Sequence, residues 1–325
     1  MKLLLSTGNV MSGGSSVRRS PATKSNTELI TSLRTTFAEH SLQLPSENAP
    51  AENGETARAD SRRWTRTEEG VLEVPTLDLS ESALAEEREQ YDITLKLFYL
   101  PGASTERRAA QTREAVELVM KALRVSSIDL LIVSFPGIYF DEKEDCPDKI
   151  STRGPVEADP EPLEGQISAW RNLEALQREG LVQRLGLAEF GKERLESLLE
   201  QVKIWPSVDQ INLRDCCSVP ADLMALAKSR NVELLVHNDC SNVLPRGTLR
   251  ELLGSGATGA GILADPPQSG GKRKNLHGEE GVNGDAAGGL LGEVHPQWVV
   301  KYTAVVKNRG VVESKGYFAV AELVD

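Results

Sequence analysis

The chain has 325 residues, 39% of them hydrophobic and 26% charged, with a net charge of -11. Such an acidic balance lacks the basic surface that displaces counterions from nucleic acid, so non-specific nucleic-acid binding is excluded. No apolar run approaches the roughly 20 residues that cross a bilayer, so no membrane partner is expected.

Met1–Leu5 opens like a signal peptide but stops at Ser6-Thr7-Gly8-Asn9, and residues 2–6 read as a first strand. Thr27 to His40 sets Leu29, Ile30, Leu33 and Phe37 at helical spacing, with Asn26 or Thr27 as the cap. Residues 42–69 turn to Pro, Ser, Asn and mixed charge, the composition of a disordered insert. Val71–Leu77 and Ile93–Tyr99 read as strands, Thr105–Leu123 as an amphipathic helix and Ile128–Phe135 as a buried parallel strand. Gly137–Glu161 is an acidic, proline-containing loop.

Further on, Ile167–Arg178 is a helix closed by Gly180, and Gln183–Leu187, Val208–Leu213 and Val232–Val236 are strands. The helices Glu193–Val202 and Pro220–Arg230 alternate with them. Residues 254–292 are dominated by Gly, Ala and Asp around Lys272-Arg273-Lys274 and read as a second flexible insert. Gln297–Asn308 reads as a helix and Gly310-Val311-Val312 as a last strand. About eight strands alternating with helices make one α/β domain over 1–325, a (β/α)8 barrel of TIM type, rather than two separate domains.

The familiar chemical motifs are missing. Gly8–Gly14 is not a dinucleotide fingerprint, and Gly270-Gly271-Lys272 lacks the upstream glycine of a P-loop. The four cysteines, Cys146, Cys216, Cys217 and Cys240, form no CxxC pair, which speaks against a disulfide framework or a zinc site and for a reducing cytosol. The acids Asp141-Glu142 and Glu144-Asp145 read as a solvated loop.

Two places stand out. Lys96 lies inside the apolar strand Ile93–Phe98, where an ammonium group either finds a carboxylate or phenol partner or snorkels to the barrel mouth. His237-Asn238-Asp239-Cys240 follows a buried strand, at the end where barrels display functional groups. There, a His237–Cys240 nucleophile pair competes with a structural polar cluster.

The segments around Lys96, Asp129–Pro136 and Leu181–Phe190 resemble the aldo-keto reductases. That resemblance implies a reductase-type barrel in which Lys96 is the retained catalytic lysine and Ser134 stands where the catalytic histidine is expected. It places the nicotinamide-amide holders on Ala188, Glu189 and Gln210, of which only Gln210 keeps its identity. It also places a phosphate-binding lysine at Lys315, after the last strand, and offers only Tyr91 for the missing tyrosine acid. Carbonyl reduction needs a proton donor and an oriented hydride donor, and a lone lysine supplies neither. No catalytic residue, cofactor or metal is therefore expected.

Gln210–Leu213, Cys216-Cys217, Pro220–Leu223, His237–Asp239 and Val306–Tyr317 further resemble the regulatory (modifier) subunits of glutamate–cysteine ligase. These are reductase-like in fold but not enzymes. The resemblance implies a cytoplasmic heterodimer with the ligase catalytic subunit, in which glutamate affinity is raised and glutathione feedback is relieved. The reductases' last helix is expected to be missing. The resemblance does not say which residues meet the partner; the candidates are His237, Asn238, Asp239, Arg309, Lys315 and Tyr317, with closure of the barrel as the alternative role for both segments. The alternative is a diverged NADPH-dependent oxidoreductase using Lys96 and Lys315. Cys146, in its surface loop, is the candidate for an intersubunit disulfide, although its acidic neighbours disfavour the thiolate.

Overall fold

The computed structural model describes residues 1–12, 25–42, 60–79, 84–140, 158–213, 218–240, 242–256, 258–264 and 289–324. Cys146, Cys216, Cys217, the acids at 141–145 and Gly270–Lys274 lie outside the described residues. Among the described residues no helix is long and apolar enough to cross a membrane.

The strands are β1 (Lys2–Ser6), β2 (Arg66–Glu68), β3 (Val71–Val74), β4 (Tyr91–Tyr99), β5 (Ile128–Ser134), β6 (Val182–Ala188), β7 (Val208–Ile211), β8 (Glu233–Val236), β9 (Glu293–Val306) and β10 (Val311–Val324). The helices are α1 (Ser25–Leu42), α2 (Arg108–Leu123), α3 (Leu163–Arg178), α4 (Lys192–Leu199), α5 (Ala221–Arg230) and α6 (Thr248–Leu253). The strands form one sheet in the order β2-β3-β1-β10-β9-β4-β5-β6-β7-β8.

Half of that sheet is the βα repeat expected of a TIM-type barrel. Strands β4 to β8 pair in parallel and in sequence, as right-handed crossovers through α2, α3, α4 and α5 require. The apolar runs of β4 and β5 are buried on both faces, the pattern of a covered parallel sheet. On α2, Ala115, Val116, Val119, Ala122 and Leu123 recur at three- and four-residue spacing and are buried against that sheet. Arg124 then takes a left-handed conformation and ends the helix. On α3, Ile167, Trp170, Leu173 and Leu176 do the same, and Gly180 at φ 78° turns the chain into β6.

This parallel half is strongly curled. Neighbouring strands lie about 4.8 Å apart, so β4 and β8 would be about 19 Å apart in a flat sheet. Lys96 Nζ on β4 nevertheless lies 3.4 Å from His237 Nδ1, just past β8. The face that carries Lys96 is therefore concave, and α2 to α4 pack on the convex face.

The other half departs from the expected alternation. Residues 297–308, expected to be helical, belong to β9, which forms a long antiparallel hairpin with β10. Trp298, Val300, Tyr302, Ala304 and Val306 point to one core and Val299 to the other, a two-residue period that overrides helical propensity. β9 also pairs antiparallel with β4, and β1 lies between β10 and β3. Helices α1 and α6 cover the concave side here. Leu29, Leu33, Leu252 and Leu253 are fully buried with Leu3, Leu5, Val299 and Tyr317, each leucine stabilising the fold by about 1.5–3 kcal/mol.

Parts of both stretches expected to be inserts carry ordered structure among the described residues. Residues 66–68 form β2 on β3, anchored by the Arg66–Glu73 ion pair at 2.9 Å, and the buried Trp64 packs on Phe37. At the second insert Ile262 and Leu263 are buried, and Leu263 bridges to Leu290. In each case a few large apolar residues inside a polar stretch were enough to pin the backbone. The strand expected over 71–77 ends at Val74, before Pro75, which has no N–H to extend the ladder. Pro220 precedes α5 rather than sitting in its first turn.

Candidate functional site

The site lies on the concave face and starts from strand alternation. Lys96 and Lys301 face each other across the β4–β9 pair. Two like charges directly opposite repel, and Asp239 resolves the conflict. Its carboxylate sits between them, with Oδ2 3.1 Å from Lys96 Nζ and Oδ1 2.8 Å from Lys301 Nζ. Lys96 Nζ also donates to Gln210 Oε1 on β7 at 3.1 Å and lies over the Phe98 ring. Of the two readings open for Lys96, the paired and buried one holds: the residue is 4% exposed.

The loop after β8 is tied into the same network. The Asp239 N–H donates to His237 Nδ1 at 3.0 Å, and the Asn212 amide donates to the Asp239 carbonyl at 3.2 Å. With Nδ1 turned to the Asp239 N–H, the His237 ring presents Nε2 on its other side. Nε2 lies 2.7 Å from Glu189 Oε1, at an angle poor for a hydrogen bond. Glu189, held at φ 69°, takes the Phe140 N–H on its other oxygen at 2.7 Å.

Electrostatics follow from burial and pairing. Burial lowers the Lys96 pKa, and the carboxylates of Asp239 and Glu189 pull it partly back. For Asp239 burial pushes upward, but the ammonium groups of Lys96 and Lys301 outweigh it and hold the carboxyl well below its ordinary range. Asp209 is fully buried on β7, and among the described residues its one donor is the Phe190 N–H, distant at 3.4 Å. Burial, reinforced by the Glu189 charge, pushes it up to about 8, so it is a neutral acid at neutral pH.

A second cluster adjoins the first. Lys315 lies inside β10, not after the last strand as expected, because the hairpin runs on to Val324. Its Nζ contacts both oxygens of Glu28 on α1, at 2.6 and 2.7 Å, and the Tyr317 hydroxyl donates to Glu28 at 3.1 Å. The first turn of α1 also holds the strand-end loop: the Cys240 N–H donates to Ser25 Oγ at 3.0 Å, and Cys240 Sγ meets Asn26 at 3.4 Å. His237 is thus joined to Lys96, Asp239 and Glu189, and Cys240 to α1. Of the two readings open for that pair, this favours the structural cluster.

The other candidates fall elsewhere. Ser134 is buried on β5, opposite Phe98 in the strand register. Tyr91 begins β4, and its hydroxyl donates to Glu313 at 2.7 Å, with no contact to Lys96. Arg309 sits in the β9–β10 turn, paired with Glu86 at 2.5 Å, beside the N-terminal end of β4 and away from His237. Tyr317 is fully buried, out of reach of a second chain, and Asn238 is half-buried. Among the described residues no group of three or more His, Cys, Asp and Glu is placed to hold a metal ion. The sequence reading missed Lys301, Glu28 and Asp209. Lys301 carried the same signal as Lys96, a lone lysine in an apolar run of period two.

A curled parallel sheet built from βα units, with its polar residues at the strand ends, is the frame of a TIM-type α/β barrel. The chain belongs to the aldo/keto reductase family, whose model matches residues 76–251. It is also similar, at 27% identity over 98% of this chain and 92% of the relative, to the glutamate–cysteine ligase regulatory subunit of Rattus norvegicus. A putative regulatory subunit of the same ligase from Schizosaccharomyces pombe is 24% identical over 71% of both chains. The aldose reductase structure from Schistosoma japonicum shares 26% identity over 43% of each chain at a TM-score of 0.32, too partial a likeness to carry weight.

Proposed function

We propose that this chain is a non-catalytic regulatory subunit of glutamate–cysteine ligase, acting in the cytoplasm as a heterodimer with the catalytic subunit. The observation that carries the reading is the similarity running through nearly the whole chain to proteins bearing that name. The site supports it: Lys96 is bound up with Asp239 and Gln210, Ser134 replaces the family's histidine, and Tyr91 points to Glu313. Tyr91, bound to Glu313, is not placed beside Lys96 as a proton donor for a developing alkoxide.

The mechanism would be differential binding. A modifier raises glutamate affinity and weakens glutathione inhibition only by contacting the active state of its partner better than the inhibited state. A coupling of about 1–3 kcal/mol gives a change of several-fold to about a hundredfold. The oxidoreductase alternative rests on Lys96 and Lys315, and both ammonium groups are already held by carboxylates.

Complex formation is the first test. Mixed with the purified catalytic subunit, the chain is expected to co-elute with it on gel filtration as one species. Two separate peaks at micromolar concentrations of both would remove the proposal.

A further inference from the structure

The family's nicotinamide dinucleotide does not fit the residues present. The positions that the reductase resemblance assigns to the nicotinamide amide are Ala188, Glu189 and Gln210. Ala188 offers no polar group. Glu189 is a carboxylate that can only accept: one oxygen takes the Phe140 N–H, and the other lies 2.7 Å from His237 Nε2, so it has no donor to offer the amide oxygen. Gln210 has its carbonyl oxygen on Lys96. The lysine assigned to the phosphate, Lys315, is held by both oxygens of Glu28. A dinucleotide phosphate would have to displace that carboxylate, with Glu313 two residues away along β10. Helix α1 closes the approach, since its first turn is bonded to both the strand-end loop at Cys240 and the hairpin at Tyr317.

We infer that this chain does not hold the family's nicotinamide cofactor, and that the residues surviving at its place form an internal ion network that clamps α1 to the strand ends. The network is closed: Asp239 bridges Lys96 and Lys301 with the Glu189 carboxylate as the second negative charge, Glu28 pairs with Lys315, and Lys96 and Tyr317 are nearly inaccessible. The inference rests on membership of the reductase family and not on the regulatory reading. Because the assay below contains no ligase subunit, the two fail separately.

The test is NADPH titration of the full-length chain, read by nicotinamide fluorescence and calorimetry, on the wild type, Lys315→Ala and Glu28→Gln. The expected result is no saturable binding below about 1 mM in any of the three. Saturable wild-type binding that Lys315→Ala abolishes would overturn the inference. So would binding that appears only in Glu28→Gln, because a competent site would then lie behind a single contact. The clamp has its own readout: Glu28→Gln is expected to lower Tm by about 2–6 °C. An unchanged Tm would show that Glu28 clamps nothing.

Discussion

The parallel and antiparallel halves of the sheet solve the same problem in different ways. In β4–β6 most positions on both faces are apolar and buried, and helices α2, α3 and α4 cover the convex side. In β9 and β10 the convex face is equally apolar, but the concave face carries Lys301, Lys315 and Tyr317, which need partners from other elements. The first half is held mainly by area removed from water and the second partly by paired charge. That contrast matters because a methyl lost from the first leaves a small cavity, whereas losing a carboxylate that pairs with the lysines of the second leaves a buried charge.

Removing the central carboxylate should therefore have the largest effect. Asp239→Ala strands Lys96 and Lys301, one of them fully buried, and is expected to destabilise the fold by about 3–5 kcal/mol in denaturant unfolding. A cost below that of an ordinary core leucine would contradict the network. The wild type adds a pH signature. Because Asp239 is depressed in the folded state, its contribution is complete above its unfolded pKa near 4 and is lost as pH falls below that.

Next comes Asp209, whose charge balance has the opposite sign. Its folded pKa of about 8 exceeds the unfolded value of 3.8, so the folded state keeps a proton that the unfolded state releases. Wild-type stability should fall between about pH 4 and 8 on this account, by about 1.4 kcal/mol per unit. Asp209→Asn, uncharged throughout, should remove that slope and gain on the wild type as pH rises through the window. Parallel stability curves for the two proteins would show that Asp209 is ionised in the fold.

The smallest effect is expected at the hairpin turn. Arg309 and Glu86 form an exposed pair, and Arg309→Ala should change stability by no more than about 0.5 kcal/mol. A larger loss would mean that the hairpin tip bears more of the fold than its exposure suggests.

The parallel half was legible because its strands are separate apolar runs bounded by glycine and charged helices, as with Ile128–Phe135 and Gly180. The antiparallel half was not. Trp298–Val306 is apolar enough to pass for a helix, and only its pairing with two neighbours settles the period. Lys96 and Asp239 could each be singled out, since both interrupt or follow apolar strands. Their union could not, because it depends on sheet curvature bringing β4 and the end of β8 together. Glu28 carried no local signal, being one more acid on a helix until β10 packs against it.

The central claim, that this reductase-fold chain works by modifying a partner enzyme, is tested most directly by the glutamate dependence of γ-glutamylcysteine synthesis. The rate would be measured for the catalytic subunit alone and with this chain added. The account predicts a lowered KM for glutamate and weaker inhibition by glutathione. Identical curves, with the complex shown to be formed, would contradict it.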